Sequence, residues 1–179
     1  MKNIVVIYQS KYGSTKKYAS WLAEELSCDI FERKQIKPSE LAKYDVIIYG
    51  GGLYAGGISG VDLITNSYNY IKDKKIIIFS CGVSDPTNEE NINNIRRVLY
   101  TKFTPEMKDN IKVFHLRGGI DYTKLNFMHK TMMSMLVKMV KKKDREELNA
   151  EQKEMIDTYG QVVDFTDKQS LQPIIEYIK

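Results

Sequence analysis

Cysteine is scarce in this 179-residue chain: there are two, Cys28 and Cys81, and they form no CxxC pair. A disulfide framework and a cysteine-built zinc site are therefore excluded, and a reducing cytoplasm is the expected compartment. Histidine is equally rare. Neither His115 nor His129 has a second histidine or a cysteine close by in sequence, so no metal site is expected. No run approaches the roughly 18–20 apolar residues of a membrane span. The apolar stretch at residues 4–8 is too short for the core of a secretory signal. Any meeting with a membrane is expected from the side. The GxGxxG fingerprint of dinucleotide-binding folds and the GxxxxGKS/T loop of nucleoside triphosphatases are both missing. The net charge of +4 comes without an interleaving of aromatic and basic residues, so no nucleic-acid interface is expected. Phosphates, carboxylated substrates and an anionic membrane surface remain compatible partners. No internal repeat and no linker rich in Gly, Pro or Ser divides the chain, and one domain over residues 1–179 is expected.

What the chain does contain is a regular alternation of strand and helix signals. Residues 4–8, 29–32, 44–50, 75–81 and 111–116 read as strands, and most are apolar throughout, the pattern of strands buried on both faces. Between them, Tyr18, Ala19, Leu22, Ala23 and Leu26 recur at helical spacing after Ser14 or Thr15, either of which can cap a helix. Residues 61–71 and 91–100 are further helix candidates. The expected architecture is α/β: a three-layer, doubly wound fold around a five-stranded parallel sheet. The alternation breaks after Leu116. A helical insertion at about residues 118–160 is expected before a last helix that carries Ile174, Ile175 and Ile178 and tolerates Pro173 in its first turn.

The sharpest local signal is Ser10-Lys11-Tyr12-Gly13-Ser14-Thr15, set between the first strand and the first helix. Unpaired N–H groups, three hydroxyls and the positive end of a helix dipole suit a phosphate dianion there, and Gly13 permits close backbone approach. An ordinary strand-to-helix turn would use the same residue types, so context decides. In open α/β sheets ligands sit beyond the carboxyl ends of the strands, at the switch point of strand order. Three more strands end there in glycine-containing loops: 50–59, 81–85 and 117–122. Backbone of this kind can lie against a flat ring and hydrogen-bond its edge, and Tyr54 can pack on its face. A planar, phosphorylated cofactor is the expected ligand.

The insertion opens with a methionine-rich run. On a helix, Met128, Met132, Met135, Leu136 and Met139 share one broad face that Met133, Val137 and Val140 widen. Lys130, Ser134, Lys138 and Lys141 form a narrow polar stripe. Such a helix either covers the sheet or forms a homodimer contact, or it offers an adaptable apolar surface to a quinone, a porphyrin or an anionic membrane.

Ser10 to Thr15 resembles the S/T-x-x-G-x-T phosphate signature of flavodoxins. Gly52-Leu53-Tyr54-Ala55-Gly56 resembles the flavin loop of the flavodoxin-domain subfamily that includes menaquinone-dependent protoporphyrinogen oxidase. The resemblance runs over nearly the whole chain. It is most discriminating in the insertion, at Arg117-Gly118-Gly119-Ile120-Asp121-Tyr122, at Asn126-Phe127-Met128 with the following methionines, and at residues 162–167. It implies a flavodoxin-like fold and FMN as cofactor. The phosphate would lie on Ser10, Lys11, Tyr12, Gly13, Ser14 and Thr15. The ring would lie against Gly52, Leu53, Tyr54, Ala55 and Gly56 and against Cys81, Gly82, Val83 and Asp85. It further implies oxidation of protoporphyrinogen IX with electrons passed to a quinone. Tyr12 departs from the Thr usual in electron carriers, and residues 141–154 have no counterpart. The sequence thus leads to an FMN oxidoreductase of the cytoplasm or the inner face of its membrane, with a small redox substrate or quinone as partner. An electron carrier without a substrate of its own is the alternative. No side-chain acid or base is singled out: His115 reads as a satisfied core or edge residue, and Cys81 as a small filler near the ring.

Overall fold

The apolar runs become a sheet because each alternate residue finds a covered face. The computed structural model describes residues 2–54 and 57–179, so Ala55 and Gly56 of the expected flavin loop lie outside the described residues. β1 (Ile4–Gln9) leads into α1 (Ser14–Leu26) and β2 (Asp29–Glu32), then β3 (Val46–Tyr54) with a short β4 (Gly57–Ile58), α2 (Asp62–Ile71) and β5 (Lys75–Gly82). α3 (Glu89–Tyr100), α4 (Pro105–Asn110) and β6 (Ile111–Arg117) follow. The sheet order is β2-β1-β3-β5-β6, all parallel, with β4 pairing antiparallel to the end of β3. Strand order reverses between β1 and β3, which opens a crevice at their carboxyl ends.

Side chains alternate across the sheet. Val5, Ile7, Ile47, Tyr49, Ile76 and Ile78 face one way, against Leu63, Ile64, Tyr68 and Ile71 of α2 and Leu99 of α3. Val6, Ile48, Ile77 and Phe79 face the other, against Tyr18, Leu22 and Ala23 of α1. Ile174, Ile175 and Ile178 of the last helix, α7, complete that layer; with the elements below, α7 spans Gln172–Ile178 and takes Pro173 in its first turn. The expected five-stranded parallel sheet between helical layers is therefore observed.

Two local expectations are corrected, and one element is added. The residue that caps α1 is Gly13, not Ser14 or Thr15: Gly13 adopts φ +102°, where L side chains are strained, and its N–H donates to Ser10 Oγ at 3.1 Å. Both hydroxyl residues consequently sit inside the first turn. The third strand does not stop at Gly50 but runs to Tyr54, with Leu53 opposite Ile58. Glycine is what permits this: a Cβ on Gly50 would stand 2.1 Å from Phe79 Cζ, and one on Gly51 2.4 Å from Ile58 Cγ2. α4, a six-residue helix capped by Thr104 and begun by Pro105, has too little periodicity to be read in sequence.

The insertion is rooted by β7 (Gly119–Asp121), which pairs antiparallel with β8 (Val162–Asp164). Between them lie the methionine-rich α5 (Phe127–Val140), capped by Asn126, and α6 (Ala150–Thr158), which ends the charged stretch and is capped reciprocally by Asn149 and Gln152. Replacing Gly50 by Ala drives a methyl into the ring of fully buried Phe79. It is expected to destabilise the protein by about 1–3 kcal/mol in urea unfolding, whereas Gly57→Ala, whose Cβ would meet nothing closer than 3.8 Å, should change little.

Candidate functional site

Beyond the carboxyl ends of β1, β3 and β5 lies a cavity of about 1060 Å³, at the upper end of the range of ligand pockets. Its floor is the first loop (Ser10, Lys11, Tyr12, Ser14, Thr15), the end of β3 (Gly52, Leu53, Tyr54) and the end of β5 (Cys81, Gly82, Val83). Glu32, the last residue of β2, and Arg33 and Lys34 just past it close one side. The insertion supplies the rest through Gly118, Gly119, Ile120, Leu125, His129, Met132, Met133, Leu136 and Glu151.

Most of the residues singled out in sequence thus meet in one cavity. Gly13 stands behind the lining and shapes the turn. Asp85 also stands outside it: its carboxylate accepts from Thr87 N at 2.9 Å and Thr87 Oγ1 at 2.8 Å and lies 3.7 Å from Arg117. The Thr87 bonds, assisted by Arg117, hold that carboxyl below the usual range. Oδ1 of Asp85 therefore closes its own loop through Thr87, while Oδ2 faces Arg117 outside the cavity lining.

The floor near α1 carries unpaired hydrogen-bond donors. Ser14, Thr15 and Lys16 present first-turn N–H groups that the helix cannot satisfy, and the first turn carries no acidic residue. Ser10 Oγ and Ser14 Oγ each accept one bond, from Gly13 N at 3.1 Å and Gly119 N at 3.0 Å, which leaves both hydroxyl protons free to donate. The floor near β3 and β5 combines strand-end backbone at Gly52 and Gly82 with the side chains of Leu53, Tyr54, Cys81 and Val83. Cys81 is buried there and its thiol is pushed up to about 12 by burial, against the opposing hydrogen bond from Thr15.

His129 is the residue the sequence does not reveal. Its ring is 4% exposed and bridges the insertion to the loop: Nε2 lies 3.1 Å from Lys11 Nζ and Nδ1 bonds the Tyr12 hydroxyl. It also stacks on Tyr54, ring centroids 4.8 Å apart at 32°. Tyr54, expected to face a ring ligand, thus already gives ring surface to His129. The signal in sequence is spacing: His129, Met132, Met133 and Leu136 fall on one face of α5, and that face lines the cavity. On the adjoining side of α5, Met128, Met135 and Met139 are 71%, 61% and 64% exposed, so the one broad face expected to carry Met128, Met132, Met135, Leu136 and Met139 is divided between cavity and solvent.

Arg117 pins the insertion to the sheet. Its Nε donates to Val83 O at 3.1 Å, its guanidinium lies 3.8 Å over Phe165, and it pairs with Glu154 of α6, whose other oxygen accepts from Asp85 N at 3.2 Å. His115 is on the edge strand β6, away from the cavity lining. One nitrogen meets Ser80 Oγ at 2.8 Å and the other is buried without a partner, so it is only half satisfied; burial, with Arg96 nearby, pushes its pKa down to about 4. Among the described residues no group of three or more His, Cys, Asp or Glu side chains could hold a metal ion, and no helix is long and apolar enough to cross a membrane.

Comparison with known proteins adds a family. A family model described as "Flavodoxin domain" matches residues 5–147. An uncharacterized protein of Methanocaldococcus jannaschii is 32% identical over 56 residues, 31% of this chain, and the matched stretch spans 37% of that relative's length. Among solved structures, a WrbA-like flavodoxin protein from Agrobacterium tumefaciens is 23% identical, covering 57% of this chain and 73% of that one, TM-score 0.44. A flavoprotein in complex with FMN from Lactobacillus acidophilus is 14% identical, covering 65% of this chain and 93% of that one, TM-score 0.40.

The thiol environments are open to a direct test. Burial raises Cys28, helped by Asp29, to about 11 and Cys81 to about 12, so both stay protonated well above neutral pH. Alkylation by iodoacetamide at pH 8 is expected to be roughly a hundredfold slower in the folded protein than in urea, as followed by mass spectrometry. Rapid labelling of folded Cys81 would contradict the buried environment.

Proposed function

The chain belongs to the flavodoxin-domain family, and from that membership we propose that it is an FMN-binding oxidoreductase whose insertion forms the substrate-facing wall of the flavin crevice. The observation that carries this reading is the convergence of two unlike surfaces at the β1/β3 switch point. One is an anion cradle at the start of α1, with no acidic residue in its first turn. The other is a flat floor of strand-end backbone from β3 and β5 within the same cavity.

The residues present fit FMN. Ser10, Ser14 and the first-turn N–H groups would hold the phosphate, and Lys11 adds a cation at the same loop. Gly52, Leu53, Tyr54, Cys81, Gly82 and Val83 would flank the ring. Bound FMN supplies hydride or two-electron transfer. The chain's own part is to fix the phosphate, exclude water with Leu125, Met132, Met133 and Leu136, and present polar groups at the ring edge. Lys11, Arg33 and Lys34 exceed Glu32 and Glu151 in the crevice lining by one charge, a slight positive balance compatible with a carboxylated substrate.

The finer assignment is oxidation of protoporphyrinogen IX with a quinone as acceptor, supported by the resemblance of residues 117–122 and of the methionine-rich helix. A quinone acceptor goes with the exposed outer face of α5. Met128, Met135 and Met139, beside Lys138 and residues 141–143, suit the anionic inner surface of a membrane.

Purified protein titrated with FMN is expected to show the bound-flavin visible spectrum with quenched fluorescence at a stoichiometry near one. Porphyrinogen with a quinone should then yield porphyrin fluorescence. Flavin bound without porphyrinogen turnover would assign the chain to electron carriage instead, and failure to bind excess FMN would remove both readings. Separately, Met135→Glu with Met139→Glu is expected to weaken binding to phosphatidylglycerol vesicles at least tenfold while leaving the FMN titration unchanged. Equal vesicle binding by the variant, or its loss of a dimer in size-exclusion chromatography, would reassign that face.

A further inference from the structure

His129 occupies an unusual position for a buried imidazole: its neighbours dictate its protonation state. An ammonium group can only donate, so the 3.1 Å contact with Lys11 requires a lone pair on Nε2. The ring proton then resides on Nδ1 and is donated to the Tyr12 hydroxyl. A second proton on Nε2 would remove the acceptor that Lys11 uses and set two cations against each other. The stacked Tyr54 ring lies on the same side of the cavity, with the Lys11 ammonium 5.5 Å from its centroid.

These contacts join two parts of the chain 117 and 118 residues apart, the first loop and α5. His129 also stands at the N-terminal end of α5, where its own N–H donates to the Asn126 cap at 2.8 Å. The imidazole contacts with Lys11 and Tyr12 thus tie the loop to the first turn of the helix that carries Met132, Met133 and Leu136 to the cavity.

We propose that His129 is the positioning residue that holds α5 down on the first loop, and that it does so only as a neutral imidazole, so that acid opens the crevice. As regulation of a flavin site this rests on the FMN reading above; as a statement about the helix it does not. The titratable and charged groups facing His129 are Lys11 and Tyr12 from the loop and Tyr54 from β3; farther round the cavity wall stand Glu32 of β2, Arg33 and Lys34 just past it, and Glu151 from α6. Burial, with Lys11 adding to it, lowers the His129 pKa from its ordinary 6.5. The sign follows: the closed position binds fewer protons than the open one. Closure is full above pH 6.5 and weakens as pH falls below it, by up to tenfold per pH unit until the lowered value is passed.

The test is hydrogen–deuterium exchange of the full chain without added flavin, at pH 7.5 and 5.5, with times scaled for intrinsic exchange. In the wild type, α5 peptides are expected to open several-fold more often at pH 5.5, up to about tenfold, while α1 peptides are unchanged. His129→Gln keeps an acceptor for Lys11 but does not titrate, and in it the pH dependence of α5 should vanish. The other wall groups are retained in that variant, so their contribution cancels. Carbon-13 histidine NMR, with only two histidines to resolve, gives the His129 midpoint. Exchange of α5 that ignores this titration, or accelerates equally in His129→Gln, would overturn the proposal. Because no flavin is present, failure here is distinct from failure of the FMN titration.

Discussion

The close approach of β3 to its neighbours is the constraint on which the site depends. Phe79 of β5 fills the space where a Gly50 side chain would stand, and Ile58 with the Ser59 backbone fills that of Gly51. With no side chains to hold them off, β4 can fold back on the end of β3, and the β3 backbone reaches Leu53 and Tyr54 at the crevice. Burial of the sheet on both faces forces crossovers through helices, and those crossovers deliver the first loop, the end of β3 and the end of β5 to the same edge. The anion cradle and the flat floor are thus products of one packing decision rather than two separate features.

The insertion is fastened to this framework at its root. The fully buried Tyr18 hydroxyl donates to Arg117 O at 2.7 Å and accepts from Asp167 N at 3.0 Å, so α1 grips both ends of the added segment. Lys17 bonds Asp164 at 3.0 Å and Thr166 at 2.7 Å, Ser14 receives Gly119 N, and Arg117 clamps Glu154. Thr166 and Lys17 keep the Asp164 carboxyl below the usual range, so this root remains ionised and paired at neutral and mildly acid pH.

How much of this is legible in sequence depends on whether the signal is periodic. The parallel sheet is legible because residues 4–8, 46–49 and 76–79 are continuously apolar, and a strand buried on both faces has little alternative. The first loop is legible because Ser, Gly and Thr cluster at a strand-to-helix junction. The roles inside it are not: which residue caps α1 turns on the φ of Gly13, a property of one backbone angle. The same holds for Asp85, whose loop position suggests a ligand while its bonds to Thr87 make it a turn. His129 is hidden for the opposite reason. Its partners Lys11, Tyr12 and Tyr54 come from distant parts of the chain, and only the fold brings them together.

The floor and the insertion wall divide the chemistry between them. On the proposed reading the floor would act largely through strand-end backbone, which discriminates little among substrates. The wall is made of side chains: His129, three long apolar residues on one face of α5, and Glu151 of α6. Methionine adapts its shape more readily than branched residues, so this wall can follow the outline of a bulky substrate without moving the floor. The root fastenings and the His129 contact share no residue, so on the proposal above loss of the His129 contact would break none of the bonds that pair β7 with β8. A chain built this way can alter what it admits by changing residues of α5 alone, while the loop at the start of α1 and the sheet beneath it remain as they are.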